Sequence, residues 1–393
     1  MTDHILTINA GSSSLKFALF TAGGLACRAI GQIEGLGIDP RFTVKDGAGE
    51  GIATSPLIGD RFVKTHADAL RIIIHFVGEQ FPQAVMAAVG HRVVHGGLHY
   101  TTPIIVGDDD LAALSNLNAL APLHQPHNLA GIKAAQGIFP GAPQIACFDT
   151  AFHRAHPFVA DAFALPRALY DEGVRRYGFH GLSYEYVTGK LREIAPQQAK
   201  GRVILCHLGS GASICALRDG RSLASTMGFS PLDGLPMGTR SGQLDPGVLL
   251  YLMDQKGMDA RTISDLLYRQ SGLKGLSGIS SDLRVLEASE NPHARQAIDY
   301  FVYRARHEIG GLTMALGGLD AIVFCGGIGE NSRAVRAQIL KAMQWIGVEL
   351  DDDRNKANQQ VISSNRSKVK VFVIPTNEEL MIARHTARLA GLM

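Results

Sequence analysis

One pattern constrains this chain more than any other. It opens with a β-rich run, HILTIN (4–9), a polar turn, AGSSS, and a second β-rich run, LKFALF. Nearly two hundred residues later the same grammar returns as RVILCHL, GSGAS and ICAL (202–217). Each copy reads as strand, turn, strand. Each first strand ends on a polar residue, Asn9 or His207, followed by a Gly-Ser turn, Gly11-Ser12 or Gly209-Ser210. A repeat this far apart is too long for a solenoid and suits duplication of a whole domain. A length of 393 residues also exceeds what one core organises, so two domains are expected.

The rest of each half alternates. THADALRIIIHFVGEQF, HNLAGIKAAQGIF, ARQAIDYFVYRARHEIGGLTMALGG and EELMIARHTARLAG have helical periodicity, and a further helix should open on Asn331-Ser332. AVMAAVGHRVV, PQIACFDT, DAIVFCGG and VKVFVIPT read as strands. The pattern predicts mixed-sheet α/β domains. Residues 35–56, rich in Gly and Pro, read as a surface insertion.

Composition removes several classes. Apolar residues make up 46% and charged residues 19%, a globular balance. A net charge of +2 leaves no footprint for nucleic acid or an anionic membrane. The five cysteines are widely spaced, form no C-x-x-C and lie mostly in apolar runs, which predicts buried reduced thiols. The opening MTDHILTINAG has no basic stretch before an apolar run of about 7–15 residues, and no segment is long enough to span a bilayer. A cytoplasmic protein is expected.

Neither G-x-x-x-x-G-K-[ST] nor G-x-G-x-x-G occurs, which excludes the P-loop, the dinucleotide fingerprint and the protein-kinase glycine loop. Three glycine–hydroxyl turns follow strands instead: NAGSSSLK (9–16), HLGSGAS (207–213) and GGIGENS (326–332). Singly, each is an ordinary hairpin tip or an anion nest of backbone N–H groups, hydroxyls and, in the first, Lys16. Together, with two in equivalent places, they favour a nucleotide, and the third should offer a helix N-terminus to phosphate.

Arg92 ends a probable strand in GHRVVHGG, and Arg240 lies in the glycine-rich GLPMGTRSG. A planar guanidinium among small residues suits a carboxylate or phosphoryl group, though a surface ion pair explains either one alone. Asp149 and His153 follow a strand in CFDTAFH, and Phe179 and His180 an aromatic turn in RRYGFHG. Glu378 and Glu379 begin the last helix, where acids also simply favour the dipole. His91, His95 and His99 are spaced by four, but the valines and glycines among them disfavour a shared helical face for zinc.

These stretches, with APLHQPHN, GLSGISSDLR and IPTNEEL, stand in an order and number that resemble the acetate kinase family, within the acetate and sugar kinase, heat-shock protein and actin superfamily. The resemblance implies two related actin-like (ribonuclease H-like) α/β domains with the active site in the cleft between them. It divides them as 1–149 plus 379–393, and 150–378, with hinges near Asp149 and Glu378. It implies transfer of a phosphoryl group from ATP to acetate, giving acetyl phosphate, with Mg²⁺, or Mn²⁺ in its place, and a homodimer. Asn9 and Glu378 would lie at the metal site. Arg92 would bind the carboxylate, Asp149 would be the essential acid, and His180 and Arg240 would stabilise the transition state. Lys16, Ser12, Ser14, His207, Leu208, Gly209, Ser210, Gly211, Asp282, Leu283, Arg284, Gly327, Ile328, Gly329, Glu330 and Asn331 would hold ATP. Val94, Leu123, Phe179 and Pro231 would surround the substrate methyl group, with His124 nearby.

The chain departs from the family pattern at Ser210 in place of Asn, Ala224 in place of Asp and Gln243 in place of an acid. Leu182 and Tyr184 stand where HGTSH has Thr and His. Competing readings are a propionate or butyrate kinase, a sugar kinase, and an actin-like ATPase without small-molecule transfer. A conformational ATPase has no use for two arginines and a histidine that would clamp a carboxylate.

Overall fold

The computed structural model describes residues 2–11, 14–37, 39–56, 63–122 and 124–393. The chain divides into two compact units, Met1–Ala151 with Asn377–Met393, and Phe152–Thr376. By this division Glu378 belongs to the first unit, whereas the expected boundary placed it in the second.

The first unit is built on β1 (Thr2–Ala10), β2 (Ser14–Thr21), β3 (Cys27–Glu34), β4 (Arg41–Asp46), β5 (Gly51–Pro56), β6 (Ala84–Val93), β7 (Ile104–Ile105) and β8 (Gln144–Phe148). They pair in the order β5-β4-β3-β2-β1-β6-β8-β7. β1 runs antiparallel to β2 and parallel to β6, and β6 runs parallel to β8. Apolar side chains alternate to both faces of β1. Leu6 and Ile8, with Phe17 and Leu19 of β2, meet Leu70, Ile73 and Phe76 of the helix His66–Gln80. Ile5, Ala18 and Phe20 meet Ala383 and Ala387 of the helix Glu378–Leu389.

Gly90 lets that closing helix lie directly on β6. A Cβ at this position would sit 2.2 Å from Thr386 Oγ1 and 2.6 Å from Ile382 Cγ2, so a side chain would push the helix away. The close packing fixes where Glu378 and Glu379, in the helix's first turn, stand relative to the strand ends.

Residues 35–56 correct the expected surface insertion, because β4 and β5 extend the sheet. Phe42 and Val44 alternate into the core, and the Phe42 ring lies 6.2 Å from Phe17 and 5.3 Å from Phe76. The glycines and prolines delimit short strands rather than forming one loop.

The second unit has β9 (Arg202–Leu208), β10 (Ala212–Arg218), β11 (Arg221–Ser225), β12 (Ala321–Cys325) and β13 (Lys370–Val373), in the order β11-β10-β9-β12-β13. Directions match those of β3-β2-β1-β6-β8: β9 is antiparallel to β10, and parallel to β12, which is parallel to β13. The duplicated hairpin is thus the seed of a duplicated sheet. The helix Gly181–Ile194 covers one face through Tyr184, Val187 and Leu191. The helix Pro292–Leu316 packs on the same sheet through β9, β10 and β11.

The segment after β12 also differs from expectation. GGIGEN is itself helical, Gly326–Asn331, and the next helix is Arg333–Lys341. Ser332 caps the latter by accepting from Val335 N at 3.2 Å, which ends one helix and starts the other. Cys147, Cys206, Cys215 and Cys325 are buried and Cys27 is half-buried. No helix among the described residues is long and apolar enough to cross a membrane.

Candidate active site

In the first unit, β1, β6 and β8 run parallel and bring Asn9, Arg92 and Asp149 to the same edge of the sheet. Asn9 lies in the last two residues of β1, Arg92 is next to last in β6, and Asp149 directly follows β8. Arg92 Nε donates to both Asp149 oxygens at 3.1 Å, and Nη2 donates to Oδ2 at 2.5 Å. Arg92 Nη1 donates to Asn9 Oδ1 at 3.1 Å. These bonds use three of the five guanidinium N–H groups. The Asp149 side chain is 1% exposed and that of Arg92 17%. Burial opposes the Arg92 charge, but Asp149, Glu378 and Glu379 outweigh it and hold the guanidinium more firmly protonated than usual.

The two glutamates differ. Burial, then the Glu378 charge, pushes the Glu379 carboxyl above its ordinary value, while Lys16 and Arg92 act against the shift. Lys16 pairs across the hairpin with Asn9. Among the described residues no trio of His, Cys, Asp and Glu is assembled to hold an ion. Asn9 Oδ1 accepts from Arg92, and Glu378 adjoins the Glu379 carboxyl. Amide and carboxylate oxygens are the hard donors that Mg²⁺ takes, in small number, with water and phosphate filling the rest of its octahedron. His91 and His95 have other duties: His91 Nε2 bonds Gln144 Oε1 at 2.8 Å, and His95 Nδ1 accepts from Gly97 N at 2.9 Å.

In the second unit, the turn between β9 and β10 gathers the other candidates. A Cβ on Gly211 would lie 3.2 Å from His180 Nε2 and 4.0 Å from Arg240 Nη1. A Cβ on Gly209 would lie 3.7 Å from Gly327 N. Gly238 N donates to Ser210 O at 3.2 Å, tying the Arg240 loop to the same turn. Arg240 Nη1 donates to Pro231 O at 3.0 Å. The His180 and His207 rings stack with centroids 4.3 Å apart. Leu208 is buried and ends β9.

The GGIGEN helix is held at both ends. Glu330 Oε1 accepts from Gly326 N at 2.8 Å and Thr376 N at 3.1 Å, and Asn331 Nδ2 donates to Gly327 O at 2.8 Å. Ile328 and Gly329 lie inside it. Asp282 caps the helix Leu283–Glu287 and pairs with the exposed Arg284 at 2.6 Å. Glu287 accepts from Ser332 Oγ at 2.6 Å, linking that helix to GGIGEN.

The remaining predicted residues are placed as follows. Val94 is buried, its N–H donating to Asn128 Oδ1 at 3.0 Å, and His124 precedes the helix Gln125–Ile138. Phe179 is buried beside His180 in the second unit. Ser14 starts β2. Ser12 and Leu123 lie outside the described residues. Among the departures, Gln243 Oε1 accepts from Arg304 Nη2 at 2.5 Å, and Ala224 pairs with Ala216.

Sequence reasoning missed Arg336. It is fully buried, and its five donor bonds go to neutral acceptors: Gly329 O, Glu330 O, Asn355 O, Asn355 Oδ1 and Asn358 Oδ1. Burial, then Arg333, lowers its pKa to about 10, so it stays charged at neutral pH. It clamps GGIGEN from behind. Its one signal was position, an arginine one helical turn past the Ser332 cap.

The repeated mixed sheet, with glycine turns after its leading strands and an arginine–carboxylate pair at the strand ends, defines a duplicated α/β protein of two mixed-sheet domains. The chain belongs to the acetokinase family, whose profile matches residues 4–384. An acetate kinase of Methylocella silvestris is 60% identical over 401 aligned residues, covering 100% of this chain and 99% of that protein. The crystal structure of a propionate kinase from Francisella tularensis superposes with a TM-score of 0.91 at 37% identity, covering 98% of this chain and 100% of that one. An acetate kinase structure from Porphyromonas gingivalis gives 0.88 at 37% identity, covering 98% and 99%.

Proposed function

We propose that this chain is a phosphotransferase that reversibly moves the γ-phosphoryl group of ATP to acetate, giving acetyl phosphate and ADP. The 60% identity to an acetate kinase across both full lengths carries the reading.

A carboxylic acid is already ionised at neutral pH, so its oxygen attacks phosphorus without a general base. The difficulty is the repulsion between two anions. Arg92, held charged and aimed by Asp149, binds and orients the acceptor carboxylate. Asp149 has both oxygens on that guanidinium, so its role is to position Arg92 rather than to take a proton. His180 and Arg240 donate to the oxygens of the transferring group, and the 207–211 and 326–331 segments hold the nucleotide with backbone N–H groups. Mg²⁺ held by Asn9 and Glu378 would neutralise phosphate charge. Transfer is direct and in line, and net retention of configuration at phosphorus would contradict it. A homodimer in the cytoplasm completes the proposal and rests on the family resemblance.

The test is a hydroxamate assay for acyl phosphate, run with acetate, propionate and butyrate on wild type and Arg92→Ala. Acetate should give the highest kcat/KM, and the variant should lose carboxylate affinity. The second reading, a propionate kinase, is favoured by the 0.91 superposition on such an enzyme. One methylene is worth only about 1–3 kcal/mol in an apolar pocket, so higher kcat/KM with propionate would decide for it.

A further inference from the structure

His180 occupies the left-handed region, φ 59° and ψ 26°, immediately before the helix Gly181–Ile194. A non-glycine residue stays there only when its surroundings hold it. Two sets of contacts do so. His153, wholly buried, bonds through Nε2 to Phe179 O at 2.9 Å. Its ring packs against Gly178, where a Cβ would fall 2.5 Å from His153 Cγ. That contact braces the peptide that enters His180.

The second set braces the ring. His180 Nδ1 lies 2.9 Å from Ser213 Oγ, and Ser213 Oγ lies 2.5 Å from the Tyr184 hydroxyl. Tyr184 is one helical turn beyond His180, so its side chain reaches the same face. It is fully buried, and burial pushes its phenol well above the ordinary value, so it remains a proton donor. A buried hydroxyl without an acceptor is costly, and Ser213 Oγ is the acceptor at hand. With the Tyr184 O–H on the serine oxygen, the serine's own hydrogen turns to His180 Nδ1. The neutral imidazole then carries its proton on Nε2. Nε2 is the atom beside Gly211, whose Cβ position also lies 4.0 Å from Arg240 Nη1.

We infer that Tyr184 is a positioning residue for His180: through Ser213 it sets the ring's orientation and tautomer so that Nε2–H faces the 207–211 turn. The inference rests on the reading of His180 as a group that touches the transferring phosphoryl. Tyr184 stands where the family pattern has a histidine.

The test uses Tyr184→Phe, which removes one oxygen and keeps the packing, with Ser213→Ala, the double variant, and His180→Ala as reference. Each is assayed as the intact enzyme with ATP and acetate, with Tm recorded and histidine ¹⁵N spectra taken. Losing one orienting hydrogen bond should lower kcat roughly tenfold in either single variant, with both KM values within about twofold. The double variant should fall no further than Ser213→Ala, since both break one chain. In Tyr184→Phe the His180 proton should redistribute between the ring nitrogens. Wild-type kcat and unchanged His180 resonances in Tyr184→Phe, beside an impaired His180→Ala, would overturn the inference. Independent, additive losses would overturn it too. Full kcat in His180→Ala would instead remove the reading of His180, and the inference with it.

Discussion

Arg92 and Asp149 meet through a two-point contact in which Nε and Nη2 of the arginine face both carboxylate oxygens, with the acid 1% exposed. The pair ties the ends of two adjacent parallel strands and leaves Nη1 on Asn9. It is a structural clamp and a positioning device for the guanidinium at once.

Removing one partner separates these roles. Arg92→Ala strands a buried carboxylate, and breaking a pair of this kind costs about 3–5 kcal/mol of stability. The acetate kcat/KM should fall roughly 100-fold or more, because a desolvated charge contact is worth about 2–5 kcal/mol. A double variant, Arg92→Met with Asp149→Leu, should recover much of the Tm and none of the activity. Urea unfolding beside the hydroxamate assay checks both.

Acid should destabilise the protein before its carboxylates titrate. Burial lowers the pKa of His91 from 6.5 to about 4, and burial, then Arg154, lowers His156 likewise to about 4. Between these values the unfolded chain binds the proton and the native chain resists it. Stability is therefore complete above pH 6.5 and declines as pH falls toward 4. The loss is on the order of 2–3 kcal/mol for a fully buried histidine. His91→Gln should flatten the slope of urea midpoint against pH across that window; an unchanged slope would refute the assignment.

Arg336→Met should leave buried carbonyl groups of GGIGEN and its neighbours without donors. At about 1–3 kcal/mol for each unsatisfied group, a loss of at least roughly 3 kcal/mol is expected. The KM for ATP should rise while that for the carboxylate holds. Equal effects on both substrates would point to general unfolding instead.

Ser210 is exposed on the turn where its carbonyl accepts from Gly238 N. Ser210→Asn restores the residue of the family pattern and adds an amide donor without disturbing that backbone bond. The KM for ATP should change and the KM for acetate should not. Steady-state kinetics with each substrate varied in turn decide this.

The duplicated strand–turn–strand was legible because its signals are local: period-two apolar runs, and glycine with hydroxyls between them. The long helices were equally legible from their apolar stripes. β4 and β5 were not, because two six-residue strands carry few alternating residues, and the Gly and Pro around them give turn signals. GGIGEN read as a loop because its glycines disfavour a helix locally. Arg336 and Glu330 hold it in that form through bonds to its carbonyl and N–H groups.

Sequence alone therefore determined the α/β class, the twofold internal repeat and the glycine–hydroxyl turns, since each depends on neighbours along the chain. Only tertiary structure decided that Arg92 is committed to Asp149, that the Tyr184 and His180 side chains meet at Ser213, and that a buried arginine underpins GGIGEN. Those contacts join residues from separate strands, turns and helices. Their energies depend on distance and burial, which a linear order of residues does not contain.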